Sequence, residues 1–185
     1  MSAIETPAVG FPYHRILPLL YEKETNYAAV CKSIVEYNKE NGLWGAYAAI
    51  NCTKMQQLAD AVRNALVEKK DVLEYANLNH IQQYGISTYE HFSFDILDTF
   101  SYLNKGNIPE NLAQSISETV VAKDCIDDTR IPPFNQLITD RNRFCGLGMY
   151  LPYLTPGKQQ WDNYYENLEW YSAAGWDELK PYFKQ

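Results

Sequence analysis

Cysteine and histidine are the residues of this 185-residue chain that could carry out nucleophilic chemistry. A Cys/His nucleophile needs an imidazole about 3 Å from the sulfur, and the chain has four cysteines and three histidines. Cys52 follows a predicted strand and precedes a predicted helix N-terminus, where the helix dipole favours a negative charge. Cys31 and Cys145 lie in apolar stretches, which raise a thiol pKa and favour inert, structural roles. Cys52 is therefore the cysteine to test, although a structural role is the favoured interpretation because no base can be assigned beside it.

Two groups of polar residues contain side chains that can bind metal ions. His80, His91 and Asp95 have ligand chemistry, but the spacing of the two histidines matches no compact metal motif. Asp127-Asp128 could bind calcium through carboxylate oxygens, yet a flexible acidic loop is the favoured interpretation. The sequence predicts no metal and no cofactor.

Two carboxylates three residues apart, Asp95 and Asp98, could perform acid–base chemistry on one face of a helix. The favoured interpretation is that Asp95 caps that helix or is solvated, and that Asp98 faces outward. The G-x-G at Gly146-Leu-Gly148 lies inside a predicted strand rather than after one, so it does not indicate a phosphate-binding loop.

Composition limits the classes of partner. The formal net charge of −7 argues against nucleic acid and anionic membranes, which need a basic patch. No apolar run approaches the roughly 18 residues of a membrane span. The hydrophobic fraction of 46% and the charged fraction of 21% are typical of a globular protein. Residues 1–185 are expected to form a single domain or part of one.

Periodicity predicts an alternation of helices and strands, the pattern of an α/β layer. The first half is predicted to contain a helix over Tyr13–Leu20, a second helix capped by Thr25 and stopped at Asn41-Gly42, a strand over Trp44–Asn51, and a helix from a Thr53–Gln56 capping box to about Lys69. The second half is predicted to contain a helix over Phe92–Leu103, a helix opening at Ile108-Pro109, a strand near Val120–Lys123, a loop over Asp124–Asn135, and a helical tail in pieces over Trp161–Phe183. Phe144–Leu151 is predicted to be a buried strand whose two glycines allow a close approach by another segment.

Five segments resemble, in order, the clostripain-type cysteine peptidases. The opening, Glu5 to Tyr13, is similar to the segment shortly after that family's catalytic cysteine. Gly45 to Val62 resembles its strand of small and apolar residues followed by a Leu/Ala-rich helix. Phe94-Asp-Ile-Leu-Asp-Thr-Phe100 and Cys145-Gly-Leu-Gly-Met-Tyr-Leu-Pro152 resemble its Asp-Leu-x-Asp-Phe helix and its Gly-Leu-Ser-x-Tyr-x-Pro strand. The ending, Tyr164 to Leu179, is similar to its closing Gly-Trp-Asp motif.

The resemblance implies an α/β fold: the C-terminal half of a caspase-like three-layer α/β/α domain, helix-rich with few strands. It implies a hydrolase activity, cysteine endopeptidase cleavage after Arg or Lys, and a secreted or periplasmic bacterial protein. The family's catalytic histidine and cysteine precede the segment matched by the start of this chain. We therefore expect a C-terminal portion that supplies scaffold, is inactive alone, and has an N-terminal half and a peptide substrate as partners.

The resemblance also places three residues in the substrate pocket. Ser2, Glu5 and Thr6 lie where the family lines the pocket for the basic side chain. A carboxylate such as Glu5 would pair with Lys or Arg. A cap or a solvated charge is the alternative for Glu5.

A non-catalytic binding domain is the alternative function, because 14% of the residues are aromatic. Its surface for glycan or protein would use rings of the tail, namely Trp161, Tyr164, Tyr165, Trp170, Tyr171 and Trp176. Separately, a half-domain would expose a sheet edge and an apolar face, so we expect a homodimer or strand exchange.

Overall fold

The computed structural model describes residues 2–5, 11–43, 45–84, 93–126, 130–131, 136–137, 140–154 and 159–183. The helices in these ranges are α1 (Tyr13–Leu20), α2 (Tyr27–Glu40), α3 (Met55–Leu73), α4 (Ile96–Leu103), α5 (Glu110–Thr119), α6 (Gln159–Tyr165), α7 (Glu169–Ala173) and α8 (Trp176–Leu179). The strands are β1 (Ser2–Glu5), β2 (Ala46–Ile50), β3 (Gln83–Tyr84), β4 (Ser93–Asp95), β5 (Val120–Cys125), β6 (Arg130–Ile131), β7 (Gln136–Leu137) and β8 (Gly148–Met149).

A three-stranded sheet in the order β1-β2-β5 forms the middle layer, and both of its strand pairs are antiparallel. β2 is buried along Ala46–Ala49, as its small and apolar residues predict. On one face of the sheet, Tyr47 packs with Ile16 of α1 and Val30 of α2 in a small core. Helices therefore cover this face, as the three-layer expectation required.

The opposite face of the sheet is covered by the segment before β8 and by the main core. Gly146 approaches the sheet so closely that an added Cβ would lie 3.2 Å from the Cβ of Ala48. The main core joins α3, α4, α5 and the C-terminal helices, and its largest fully buried side chains are Trp176, Phe94, Phe100, Leu58, Leu66, Leu73, Ile96 and Leu112. A second antiparallel sheet, β3-β4-β8, is attached to this core.

The structure corrects the predicted helix starts. Asn26, not Thr25, caps α2, since its side chain accepts a hydrogen bond from the Ala29 N–H at 3.0 Å. Asn51 takes the role predicted for the Thr53–Gln56 capping box, and a short 3₁₀ turn over Cys52–Lys54 precedes α3. Asx side chains compete well for such backbone N–H groups, so a neighbouring Asn displaced the predicted Thr in both places.

Three segment boundaries also differ from the predictions. Residues 93–95 form β4 rather than the start of the Phe92–Leu103 helix, because Asp95 caps α4 from the end of a strand. The predicted Asp124–Asn135 loop includes the end of β5 and the strand β6, which pairs with β7 just beyond the predicted loop, while Pro132-Pro133 lies outside the described residues. Only Gly148–Met149 of the predicted Phe144–Leu151 strand pairs with another strand. The α1 helix, the β2 and β5 strands and the helical pieces of the tail are confirmed.

Candidate functional site

A cleft lies at the carboxyl end of β2. It has a volume of about 580 Å³ and is lined by Leu20, Tyr27, Ala49, Ile50, Asn51, Cys52 and Val121. The walls are the end of α1, the start of α2 and the exposed side of β5. The cleft is therefore mostly apolar, with an amide and a thiol at one end.

Asn51 orders the turn that carries the thiol. Its backbone N–H donates to the Thr119 carbonyl at 2.8 Å, which fixes the turn to the end of α5. Its side-chain Oδ1 accepts from the Thr53 N–H at 3.1 Å and from the Thr53 hydroxyl at 2.7 Å. Cys52 is held between these two residues and is exposed.

Cys52 lacks a neighbouring base among the described residues. Its Sγ is 4.0 Å from the Ile50 carbonyl oxygen. His14 packs against the Tyr37 ring with centroids 5.8 Å apart, and His80 stacks on the Tyr102 ring at 6.0 Å. Neither of these histidines is paired with the thiol, and His91 lies outside the described residues. In the described part of the chain, no Cys/His pair is assembled in this cleft.

The residues predicted to line the substrate pocket lie at the amino-terminal end of the chain. Ser2 and Glu5 are in β1, where Ser2 lies opposite Ala48 and Glu5 opposite Ala46. Ser2 is thus nearer the cleft end of β2, and Glu5 nearer its other end, about 10 Å away at the rise of an extended strand. Thr6 lies outside the described residues.

The other three cysteines are buried, as the apolar pattern around Cys31 and Cys145 predicted. Burial raises the pKa of the Cys31 thiol. Burial, and next the nearby negative charge of Asp95, raise the pKa of Cys145 well above its ordinary value. A protonated thiol without access to solvent cannot attack a substrate, so these cysteines act as small hydrophobic residues.

The second sheet carries a buried polar cluster centred on Asp95, which is fully buried. Its Oδ2 accepts from the Tyr84 hydroxyl at 2.6 Å and from the Cys145 N–H at 2.7 Å, and its Oδ1 accepts from the Asp98 N–H at 3.0 Å. Asp95 therefore caps α4, as predicted, but it is not solvated. Burial raises the pKa of Asp95, while the hydrogen bonds from its three donors oppose that change.

The prediction for Asp98 was wrong, because it faces inward. Its Oδ1 accepts from Arg143 Nε at 2.9 Å, and its Oδ2 accepts from Arg143 Nη2 and from the Gln82 N–H at 2.6 Å. Arg143 also donates to the His80 carbonyl, so it ties three segments together. Sequence reasoning missed this pair since 45 residues separate its members. The two carboxylates are structural and do not form an acid–base pair.

The aromatic tail divides between core and surface. Tyr165, Tyr171 and Trp176 are buried, whereas Trp161 and Tyr164 are 42% and 67% exposed. Half of the six rings proposed for a glycan or protein surface therefore belong to the core.

Neither a metal cluster nor a membrane span is found in the described part of the chain. No group of three or more His, Cys, Asp or Glu side chains there is arranged to hold a metal ion. Within the same residues, none of the helices combines the length and hydrophobicity needed to cross a bilayer. His91 and the Asp127-Asp128 pair lie outside these residues.

No protein-family model and no curated protein matches the chain. Several solved structures, however, do match it. A B. fragilis cysteine protease matches with a TM-score of 0.73 at 16% identity, over 96% of this chain and 77% of that one. A clostripain from Bacteroides thetaiotaomicron, solved with a peptide inhibitor, matches at 0.67 and 20% identity over 92% of this chain and 73% of that one.

A secreted C11 cysteine protease from the same species, solved with an irreversible peptide inhibitor, matches at 0.64 and 18% identity. Here 91% of this chain spans 49% of that one, so this chain is about half as long. The likeness covers at least 91% of this chain in each case. The chain therefore has the α/β fold of the clostripain-type (C11) cysteine proteases.

Proposed function

We propose that this chain is the C-terminal part of a clostripain-like cysteine endopeptidase that cleaves after Arg or Lys. It supplies scaffold and one wall of the substrate pocket, and it does not hydrolyse peptides alone. The observation that carries the proposal is the cleft at the end of β2, in a C11-type fold. The thiol that lines this cleft, Cys52, is exposed and has no histidine partner among the described residues. The catalytic pair comes from a second segment, the N-terminal half of the enzyme.

The pocket wall is the second part of the proposal. Ser2, Glu5 and Thr6 line the pocket, and the Glu5 carboxylate pairs with the basic side chain of the substrate. Residues 1–185 act as a partial domain whose partners are the N-terminal half and a peptide. The secreted relative supports a secreted or periplasmic location.

Covalent labelling tests whether the chain is inactive in the absence of the N-terminal half. The purified chain is incubated with a biotinylated peptide ending in a Lys acyloxymethyl ketone, whose acyloxy group an activated thiolate displaces, and its intact mass is measured. We expect no adduct and no cleavage of fluorogenic Arg or Lys peptides. Cys52→Ala and the buried-site control Cys31→Ala identify the site if an adduct forms. An adduct that Cys52→Ala removes would overturn the claim that the chain is inactive alone.

The pocket is tested by binding. A fluorescein-labelled peptide ending in Arg is titrated with the chain, and a peptide ending in citrulline, its neutral isostere, serves as the control. We expect the Arg peptide to bind more tightly, and Glu5→Gln to remove the difference. Equal binding of the two peptides would reject Glu5 as the recognition group and leave the scaffold role unaffected.

The alternative function, a non-catalytic domain with an aromatic surface for glycan or protein, rests on exposed Trp161 and Tyr164. Titration with glycans while tryptophan fluorescence is followed separates it from the peptidase proposal. A saturable shift would favour it, and no shift with any glycan would count against stacking on sugars.

A further inference from the structure

Three rings of α6 line one side of an apolar cleft. Trp161, Tyr164 and Tyr165 are spaced i, i+3 and i+4, so they share one face of the helix. Together with Tyr150 and Leu168 they enclose about 200 Å³, and we call this space the aromatic cleft. A neighbouring cavity of about 180 Å³ shares Tyr150, Tyr165 and Leu168 with it, so these three residues form a wall common to both cavities.

The rings are arranged as a corner rather than a stack. The Tyr150 and Tyr165 planes are 73° apart, with centroids separated by 5.0 Å. Trp161 and Tyr164 stand at the mouth, 42% and 67% exposed. An aromatic ring carries partial negative charge on its face, and rings set at an angle around one space attract a cation placed between them.

Charges around the aromatic cleft favour a positive ligand. The Tyr150 hydroxyl donates to Asp162 Oδ1 at 2.7 Å, which leaves more electron density on the Tyr150 ring. Asp162 is itself buried and also accepts from the Tyr153 N–H at 3.0 Å. The nearby Lys180 is held by Glu166 at 2.7 Å. With a formal net charge of −7, the chain attracts cations over longer range as well.

One residue in the wall of this space has a buried polar group. Tyr165 lines both cavities, is 8% exposed, and its hydroxyl has no hydrogen-bond partner among the described residues. Trp170 lies near enough to lower the pKa of Tyr165, but an indole offers only a donor, and burial raises that pKa overall. The hydroxyl oxygen itself is buried, so Tyr165 presents its ring and not its hydroxyl to the aromatic cleft.

We propose that the aromatic cleft binds a small organic cation, an alkylated ammonium whose head packs against the rings of Tyr150, Trp161, Tyr164 and Tyr165. A neutral sugar fits less well because the lining offers few polar groups. This site is independent of the proposed peptidase role, since neither Cys52 nor β1 contributes to it.

The test compares choline with 3,3-dimethylbutan-1-ol, which has the same shape without the charge. Calorimetry and tryptophan fluorescence of the full chain should show saturable choline binding, about tenfold tighter than that of the neutral analogue. Trp161→Leu and Tyr164→Leu keep apolar bulk and should each weaken choline binding. Tyr75→Leu alters a tyrosine that is 80% exposed and lies outside the cleft, and should leave binding unchanged.

The wild-type comparison needs no substitution, so the proposal stays testable even where a variant does not fold. Equal affinities for choline and its neutral analogue, or no saturable binding of either, would overturn it. Unchanged choline binding by folded Trp161→Leu and Tyr164→Leu proteins would also overturn it.

Discussion

Tyr84 donates its hydroxyl proton to Asp95 across 2.6 Å, and the two residues are 1% and 0% exposed. Tyr84 ends β3 and Asp95 ends β4, so the bond closes the second sheet at the point where α4 begins. The same carboxylate oxygen accepts from the Cys145 N–H, which attaches the segment leading to β8. A buried carboxylate is costly unless it is hydrogen-bonded, so this one carboxylate makes three segments depend on one another.

Replacing Tyr84 by Phe should destabilise the fold in a pH-dependent way. The hydroxyl stabilises the Asp95 carboxylate, so its loss should lower the free energy of unfolding by about 1–3 kcal/mol near pH 7. Burial already raises the pKa of Asp95, and the loss of this donor raises it further. A carboxyl whose folded pKa lies above its unfolded value loses stability as pH rises through the folded pKa. The cost should therefore be largest at neutral pH and shrink on acidification, as urea denaturation at several pH values would measure.

A matched control is Tyr165→Phe, which removes a buried hydroxyl that has no hydrogen-bond partner among the described residues. Its stability should change little, and the change should not depend on pH below 8. A Tyr84→Phe cost that stays constant over the whole acidic range in which both proteins remain folded would contradict the assigned role of the hydroxyl.

The Asp98–Arg143 pair should be sensitive to the exchange of Arg for Lys. Arg143 contacts both oxygens of Asp98 and also the His80 carbonyl, a set that the single ammonium of Lys cannot reproduce. Arg143→Lys should lower the free energy of unfolding by about 1–2 kcal/mol. Arg15→Lys, at the exposed Arg15–Glu40 pair, is the control and should have no measurable effect. Equal effects of the two substitutions would show that the Asp98–Arg143 pair contributes no more to stability than an exposed ion pair.

A comparison of Gly146→Ala with Gly106→Ala distinguishes the cost of a steric clash from the cost of a positive φ. Both have positive φ, +97° and +92°. An added Cβ at Gly146 would lie 3.0 Å from Val120 Cγ1, whereas nothing lies within 4 Å of one at Gly106. Gly106→Ala should cost about 1–2 kcal/mol for the backbone alone, and Gly146→Ala about 1–3 kcal/mol more. Equal thermal unfolding midpoints for the two variants would mean that Gly146 is not pressed against the sheet.

Local pattern predicted α1, β2, β5 and the helical tail because each has a clear periodicity or a clear stop signal. The resemblance predicted the fold. The polar cluster was not predictable, since Asp95, Tyr84 and Arg143 come from segments whose pairing depends on tertiary packing. From its position on the helix, Asp98 was predicted to face solvent. In the structure its carboxylate is paired with Arg143, which lies 45 residues away in the sequence. Likewise, aromatic spacing in the tail did not show that Trp176 is in the core while Trp161 stays at the surface.

The thiols should differ sharply in accessibility. Cys52 is exposed, while Cys31, Cys125 and Cys145 are buried. Ellman's reagent should therefore titrate one thiol rapidly in the native chain and all four after denaturation. Cys52→Ser should abolish the rapid reaction, and Cys145→Ser should leave it in place in any protein that folds. A second rapid thiol would indicate that a buried cysteine becomes accessible through local opening.

Self-association is predicted from the edges of the central sheet. In the order β1-β2-β5, both β1 and β5 are edge strands among the described residues. Val121 of β5 is 52% exposed beside the apolar Leu20 and Tyr27 of the cleft. The exposed backbone of an edge strand, with an apolar side chain such as Val121 beside it, favours pairing with another chain, so light scattering should show a dimer fraction that grows with concentration. Val121→Lys should shift the chain toward monomer, because charge on an edge strand opposes pairing.

The control is Val72→Lys, which changes a residue of α3 that is 48% exposed and should leave the monomer–dimer equilibrium unchanged. A wild-type monomer over a wide concentration range would contradict the prediction and would leave the exposed cleft free for the proposed N-terminal half.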